Sequence, residues 1–216
     1  MSENTHSKTT YDGIVVIVEG EVDKKLIEDL VPNKISLNIV PMSGYTNLKD
    51  KLGDIKNGTK NFLARITHLL IIVDADDDFS ARKKDVFNIL NTAGIGLSSN
   101  YALGTLEQIN SIQVGVFILP DNQSTGSLET LLLQSVKHDE VLKCSDKIIE
   151  CRKNIDPTFK SRKINTNQRD KLRYNLHMSL LKIDNDFNYD KTVSQEIDFG
   201  ASCFQDIKKF VTIEND

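Results

Sequence analysis

The sequence predicts an α/β fold: a mainly parallel sheet flanked by helices, with a C-terminal helical extension. Three observations predict it. The runs Gly13-Ile-Val-Val-Ile-Val18, His68-Leu-Leu-Ile-Ile-Val73 and Val114-Gly-Val-Phe-Ile-Leu119 are short, β-branched and continuous rather than alternating. Such runs suit strands covered on both faces, as in a parallel sheet. Helical patterns separate them, and an alternation of strand and helix implies right-handed crossovers. After about Lys137 strand-like runs stop.

Taken in order, residues 1–11 are polar and read as a flexible N-terminus without an apolar signal region. The first strand leads into a helix over Glu21–Leu30, with Val22, Leu26, Ile27 and Leu30 as its apolar positions and Pro32 just beyond. Ile35–Val40 alternates and so reads as an edge strand. The stretch Leu48–Ile66 is helical but interrupted at Gly53 and at the turn pair Asn57-Gly58. A helix over Ala81–Ala93 stops at Gly94, and another starts at Ser127 and runs to Val136. Residues 12–137 therefore form the α/β core, and 138–216 a helical extension with helices over Glu140–Lys153, Gln168–Lys182 and Cys203–Val211.

The chain has 216 residues, 39% hydrophobic and 27% charged, which is the balance of an ordinary globular protein with enough length to bury a core. No apolar run reaches the ~20 residues of a membrane span. Three cysteines, Cys144, Cys151 and Cys203, are too few for a disulfide framework, so a cytoplasmic setting is expected. The spacing of Cys144 and Cys151 fits one helix face and core packing better than zinc binding. The four histidines are not grouped at metal spacing.

The net charge of −4 is unevenly spread. Between Lys143 and Arg173, ten Lys and Arg stand against four Asp and Glu, so this segment is +6 and the rest is −10. Arg162, Lys163, Arg169, Lys171 and Arg173 are the candidate contacts to a nucleic-acid backbone. Only Phe159 and Tyr174 lie near them, so base stacking is not expected to dominate. A solvated helix face is the plainer reading of the same charges.

All three buried strands end in acid: Glu19, Glu21 and Asp23 after the first, Asp74 and Asp76–Asp78 after the second, and Asp121 after the third. Open parallel sheets bind ligands outside the carboxyl ends of their strands. Carboxylates gathered there repel one another unless a cation or a shared proton intervenes. Oxygen ligands without Cys or His suit Mg²⁺ or Mn²⁺. The plainer reading is again open, because acids after strands also cap helices and form turns.

The strand ending Val18-Glu19-Gly20 and the later strand ending Asp74-Ala-Asp76 resemble the TOPRIM domain of topoisomerases, bacterial primases and the overcoming-lysogenisation-defect (OLD) nucleases. Val16-Ile-Val-Glu-Gly-Glu-Val-Asp23, Ile72-Val-Asp-Ala-Asp76, Gly115–Asn122 with Gly126-Ser-Leu-Glu129, and Ile197–Phe204 with Ile207–Phe210 also look like a small family of uncharacterised stand-alone bacterial TOPRIM-like proteins, nearly end to end. The resemblance implies a TOPRIM-like core in which Glu19 is a metal ligand or acid/base group and Asp74 and Asp76 bind Mg²⁺. OLD-like members carry a further acid four residues after the Glu, which here falls on Asp23. It implies catalytic roles for Glu19, Asp74 and Asp76; in a two-metal mechanism Asp23, Asp121 and Glu129 are the candidates to complete a second metal site. Ser127-Leu-Glu129 departs from the acidic pair more usual at that block, which puts the role of Glu129 in doubt.

The expected function is Mg-dependent phosphodiester chemistry on nucleic acid, as in a TOPRIM-type nuclease, in phage defence by the wider resemblance. The chain contains no Gly-x-x-x-x-Gly-Lys-Ser/Thr loop, so the ATPase fused to OLD nucleases would here be a separate partner. The alternative is a non-catalytic module that binds metal and nucleotide or nucleic acid. The sequence leaves the oligomeric state open, a homodimer included. A receiver-type signalling domain also gathers acids at strand ends, but it needs a Lys at a later strand end, and the third strand here ends Pro120-Asp121.

Overall fold

The computed structural model describes residues 13–31, 35–58, 65–137, 139–155, 165–180 and 196–213. Five strands form one sheet: β1 Gly13–Val18, β2 Leu37–Pro41, β3 Ile66–Asp74, β4 Leu106–Ile109 and β5 Ile112–Leu119, in the order β2-β1-β3-β5-β4. β1 is parallel to both its neighbours, with Ile17 beside Val40 and Ile71. The helices are α1 Glu21–Leu30, α2 Leu48–Gly58, α3 Phe79–Thr92, α4 Leu128–Leu133, α5 Asp139–Ile155, α6 Thr166–Leu180 and α7 Gln205–Thr212. The fold is thus α/β, a mostly parallel sheet flanked by helices and ending in a C-terminal helix.

Burial explains why the strands lack alternation. Val15–Val18, Leu69–Asp74 and Val114–Leu119 are buried at every position, which only a sheet covered on both faces allows. β2, the alternating candidate, does lie at an edge of the sheet.

Two elements differ from expectation. β4 was not anticipated. It is only four residues long, Leu-Glu-Gln-Ile, and pairs antiparallel with β5, with Ile109 opposite Ile112. The two residues between them, Asn110 and Ser111, make the hairpin, and Asn110 takes the left-handed backbone (φ 54°) that tight hairpins need. α2 runs through Gly53 without a break. Ten further helical residues carry it, so one glycine costs it propensity but does not end it.

The chain divides into two compact units. One comprises Met1–Val73, Lys83–Ile118 and Ile207–Asp216, and holds nearly all of the sheet. There α7 buries Ile207, Phe210 and Val211, and the Phe210 ring lies 5.5 Å from that of Phe117 on β5. The other comprises Asp74–Arg82 and Leu119–Asp206. In it α5 and α6 pack together, tied by a two-pronged ion pair from Arg173 to Asp146 at 2.7 and 3.0 Å. α4 packs on α6, where the Thr130 hydroxyl donates to Asp170 at 2.9 Å. A short antiparallel bridge joins Val136 to Ile197.

Cys144 and Cys151 do share a face of α5, but that face is exposed and also carries Ile148 and Ile155. This corrects the expectation of core packing. The buried face of α5 is Leu142, Ser145 and Ile149, offset around the helix from the cysteines.

Candidate functional site

β3 ends in Asp74, and the chain then turns through Ala75 and Asp76 into the start of α3. Two features hold this corner. Ala75 N–H donates to the Leu119 carbonyl at 3.0 Å, which sets the carboxyl ends of β3 and β5 side by side. Asp76 and Gly126 exchange both backbone hydrogen bonds, at 2.7 and 2.8 Å. Asp76 takes the left-handed backbone (φ 51°), which Asp tolerates better than most residues.

The two carboxylates have different environments. Asp74 is 8% exposed, and its Oδ1 accepts the backbone N–H of Leu128, the first residue of α4, at 3.0 Å. The opening N–H groups of a helix lack intrahelical partners, so a buried carboxylate stabilises them. Asp76 is more open. Its Oδ2 accepts from Arg82 on α3, and its Oδ1 from the Asn167 amide at 2.8 Å.

Lys171 on α6 joins the pair. Its Nζ lies 3.4 Å from Asp76 Oδ1 and 3.9 Å from Asp74 Oδ2. Burial acts to lower its pKa, but the charges of Asp74, Glu129 and Asp76 and the hydrogen bond to Asp76 outweigh it, so the ammonium is held above the usual lysine value. Three of the predicted acids therefore act on one cation.

The other predicted residues are placed as follows. Glu19 and Asp23 belong to the unit that holds the sheet. Asp23 Oδ2 accepts the Gly20 N–H at 3.0 Å and closes the start of α1, while the Glu19 carbonyl accepts from Gly44 at 2.9 Å. Asp121 engages both oxygens within its own turn, accepting from Gln123 N–H at 3.1 Å, Ser124 N–H at 2.7 Å and the Ser124 hydroxyl at 2.8 Å. That is the turn-forming role of an aspartate. Glu129 accepts the Ser127 hydroxyl at 2.7 Å. Asp78 caps α3 through the Ala81 N–H at 2.9 Å, and Asp77 accepts from Asn165.

Among the proposed nucleic-acid contacts, Arg173 is committed to Asp146 and Lys171 to the acid pair, while Arg169 is exposed on α6. Arg162 and Lys163 lie outside the described residues. Among the described histidines, His177 is fully buried, its Nε2 4.0 Å from Glu196.

Sequence reasoning missed Asn167 and Arg82. Asn167 stands in Asn165-Thr-Asn167, which reads as a loop, and Arg82 one turn into the helix after the acidic run, where a charged residue is unremarkable.

Among the described residues, no three His, Cys, Asp or Glu side chains group as a metal-ligand set. Magnesium needs fewer, typically one or two carboxylates with the remaining positions kept by water. Asp74 and Asp76 supply two. Asn167 carries a further oxygen: the residue is 6% exposed, its amide nitrogen donates to Asp76, and among the described residues its buried carbonyl oxygen has no hydrogen-bond partner. A buried acceptor without a donor, on a residue bonded to one of the two carboxylates, fits a divalent cation.

A family model described as "Protein of unknown function (DUF3226)" matches residues 14–212. The chain belongs to the DUF3226 family. The match extends from β1 through α7, so the matched span includes residues of both units, Asp74, Asp76 and Lys171 among them. Comparison with curated proteins and with solved structures finds no match.

Proposed function

We propose that this DUF3226 protein carries out Mg-dependent phosphodiester chemistry on nucleic acid, as a cytoplasmic TOPRIM-type nuclease that works with a separate ATPase in phage defence. The observation that carries the reading is the Asp74–Asp76 pair at the carboxyl end of β3, converging on one cationic position, with the Asn167 amide on Asp76. The resemblance of Val18-Glu19-Gly20 and Asp74-Ala-Asp76 to TOPRIM motifs adds the substrate class.

In this reading Asp74 and Asp76 hold Mg²⁺ or Mn²⁺, with Asn167 completing the oxygen donors. The bound ion supplies charge stabilisation at a phosphoryl oxygen and a more acidic water. Leu128 N–H fixes the rotamer of Asp74, and Arg82 fixes that of Asp76, so neither carboxylate must reorganise to bind. The acid/base role of Glu19 is what the TOPRIM resemblance implies for that residue, and exposed Arg169 contacts the phosphate backbone together with Arg162 and Lys163.

The test is incubation of the purified protein with Mg²⁺ or Mn²⁺ and a panel of single- and double-stranded DNA and RNA, with and without co-purified partners. Cleavage by wild type that disappears in Asp74→Asn/Asp76→Asn supports the reading. Cleavage by that double variant at the wild-type rate overturns it.

One observation favours the second reading, a non-catalytic module that binds metal and nucleotide or nucleic acid. Both Asp76 oxygens already receive cationic or amide donors. A network satisfied this fully can serve as structural glue. Divalent binding without cleavage of any substrate in the panel selects it.

A further inference from the structure

We propose that Lys171 is the resident counter-cation of the Asp74–Asp76 pair, and that a divalent ion enters by displacing its ammonium. The inference rests on the metal-binding reading above and concerns how that site is regulated.

Two like-charged carboxylates one residue apart need a positive charge between them. Lys171 Nζ provides it, 3.4 Å from Asp76 Oδ1 and 3.9 Å from Asp74 Oδ2. A divalent ion bound by the same oxygens would sit about 2.1 Å from each. An ammonium and a dication facing these same two oxygens repel one another, so one must leave.

Lys171 is built to leave. Its side chain is 38% exposed and carries its charge on a flexible four-carbon stem, so it can swing to water without movement of α6. Arg82 differs: its side chain is 13% exposed and it holds Asp76 by the other oxygen, Oδ2. It can stay in place when an ion arrives. Asn167 supplies the independent sign that this position awaits a ligand. Its amide nitrogen already donates to the oxygen that Lys171 contacts, and its own buried oxygen has no donor among the described residues. An acceptor buried without a partner costs about 1–3 kcal/mol in general, and a dication would satisfy it.

The site is therefore latched by its own lysine. Its affinity for the ion is the intrinsic affinity reduced by the competition with Lys171.

The test measures Mn²⁺ binding, by calorimetry or by electron paramagnetic resonance of the free ion, with no nucleic acid present. Wild type is compared with Lys171→Met, Lys171→Gln and Asp74→Asn/Asp76→Asn, each checked for cooperative melting. Loss of the competitor tightens Mn²⁺ binding about tenfold or more in both Lys171 variants, and the double Asp variant loses it. If the Lys171 variants bind Mn²⁺ no more tightly than wild type, displacement is wrong while the metal reading stands. If neither wild type nor the Lys171 variants bind Mn²⁺, both fail.

A second measurement needs no variant. Amine labelling of wild type, read by mass spectrometry, becomes faster at Lys171 when Mn²⁺ is added, because the ammonium moves into water. Labelling at Lys171 that is unchanged at saturating Mn²⁺ overturns the proposal.

Discussion

Asp76 and Gly126 form a two-residue antiparallel bridge, each backbone N–H donating to the other's carbonyl at 2.7 and 2.8 Å. The bridge fixes the corner after β3 against the turn before α4, and so fixes the direction of the Asp76 side chain. Gly126 has φ 141°, and a Cβ there would lie 2.8 Å from the Thr130 hydroxyl. Thr130 in turn accepts the Ser127 N–H and donates to Asp170, so it cannot easily move aside. Gly126→Ala should destabilise the protein by about 2–3 kcal/mol. It should also weaken Mn²⁺ binding, measured by denaturant unfolding and by titration of the same sample.

Asp76 combines a positive φ with three side-chain partners. Asp76→Asn keeps a residue that tolerates the left-handed backbone, whereas Asp76→Ala adds about 1 kcal/mol of backbone strain. Both variants remove the Asp76 carboxylate from Arg82 and Lys171. Asp76→Ala should therefore unfold at lower denaturant than Asp76→Asn, and both below wild type. Equal midpoints for the two variants would show that the backbone at Asp76 is not strained.

Tyr101 should control alkaline stability. Its hydroxyl donates to the Thr105 carbonyl at 2.6 Å and accepts the Val116 N–H at 2.8 Å. Burial pushes its pKa up to about 12, against the smaller opposing effects of those hydrogen bonds. The folded state then keeps a proton that the unfolded state loses above pH 10, so stability falls as pH rises from 10 towards 12. The full loss is on the order of 3 kcal/mol, from about 1.4 kcal/mol per pKa unit. Tyr101→Phe should be less stable at pH 7, because Val116 N–H loses its buried acceptor, yet show a shallower decline between pH 10 and 12. Urea midpoints across that range measure both effects.

Gly53 lies inside α2, and a Cβ there would meet nothing within 4 Å. Gly53→Ala should stabilise the protein by about 0.5–1 kcal/mol by raising helix propensity and restricting the unfolded chain. Gly115 on β5 is the opposite case. A Cβ there would come within 2.6 Å of the Phe210 ring and 2.9 Å of Leu106. Gly115→Ala should cost about 1–3 kcal/mol through overpacking. Melting temperatures of the two variants should move in opposite directions.

Some of this was legible in the residues alone. Gly13–Val18 and Glu21–Leu30 were placed residue for residue, because unbroken β-branched runs and a 3.6-residue apolar period are strong local signals. Asp74 and Asp76 were legible as site candidates because strand ends in a parallel sheet share an edge. β4 was not, since four residues with two polar ones carry too little periodicity. The exposure of Cys144 and Cys151 was not either, because a helix with apolar residues on two faces does not say which one is covered.

The sequence by itself determined the fold class, most of the helices and strands, and the acidic ends of the strands, all properties of residues near one another in the chain. Only the tertiary structure decided what the acids touch. Asn167 and Lys171 reach Asp76 across 91 and 95 residues of chain, and no local pattern encodes a pairing at that distance. Tertiary structure likewise decided that α7, at the far end of the chain, packs Phe210 against Phe117 of the sheet within one unit. The partners of two cations in the basic segment were decided in the same way. Two of its cations, Lys171 and Arg173, turn inward to carboxylates, because a charge that is half-buried is stabilised by an opposite charge far more than by water it cannot reach.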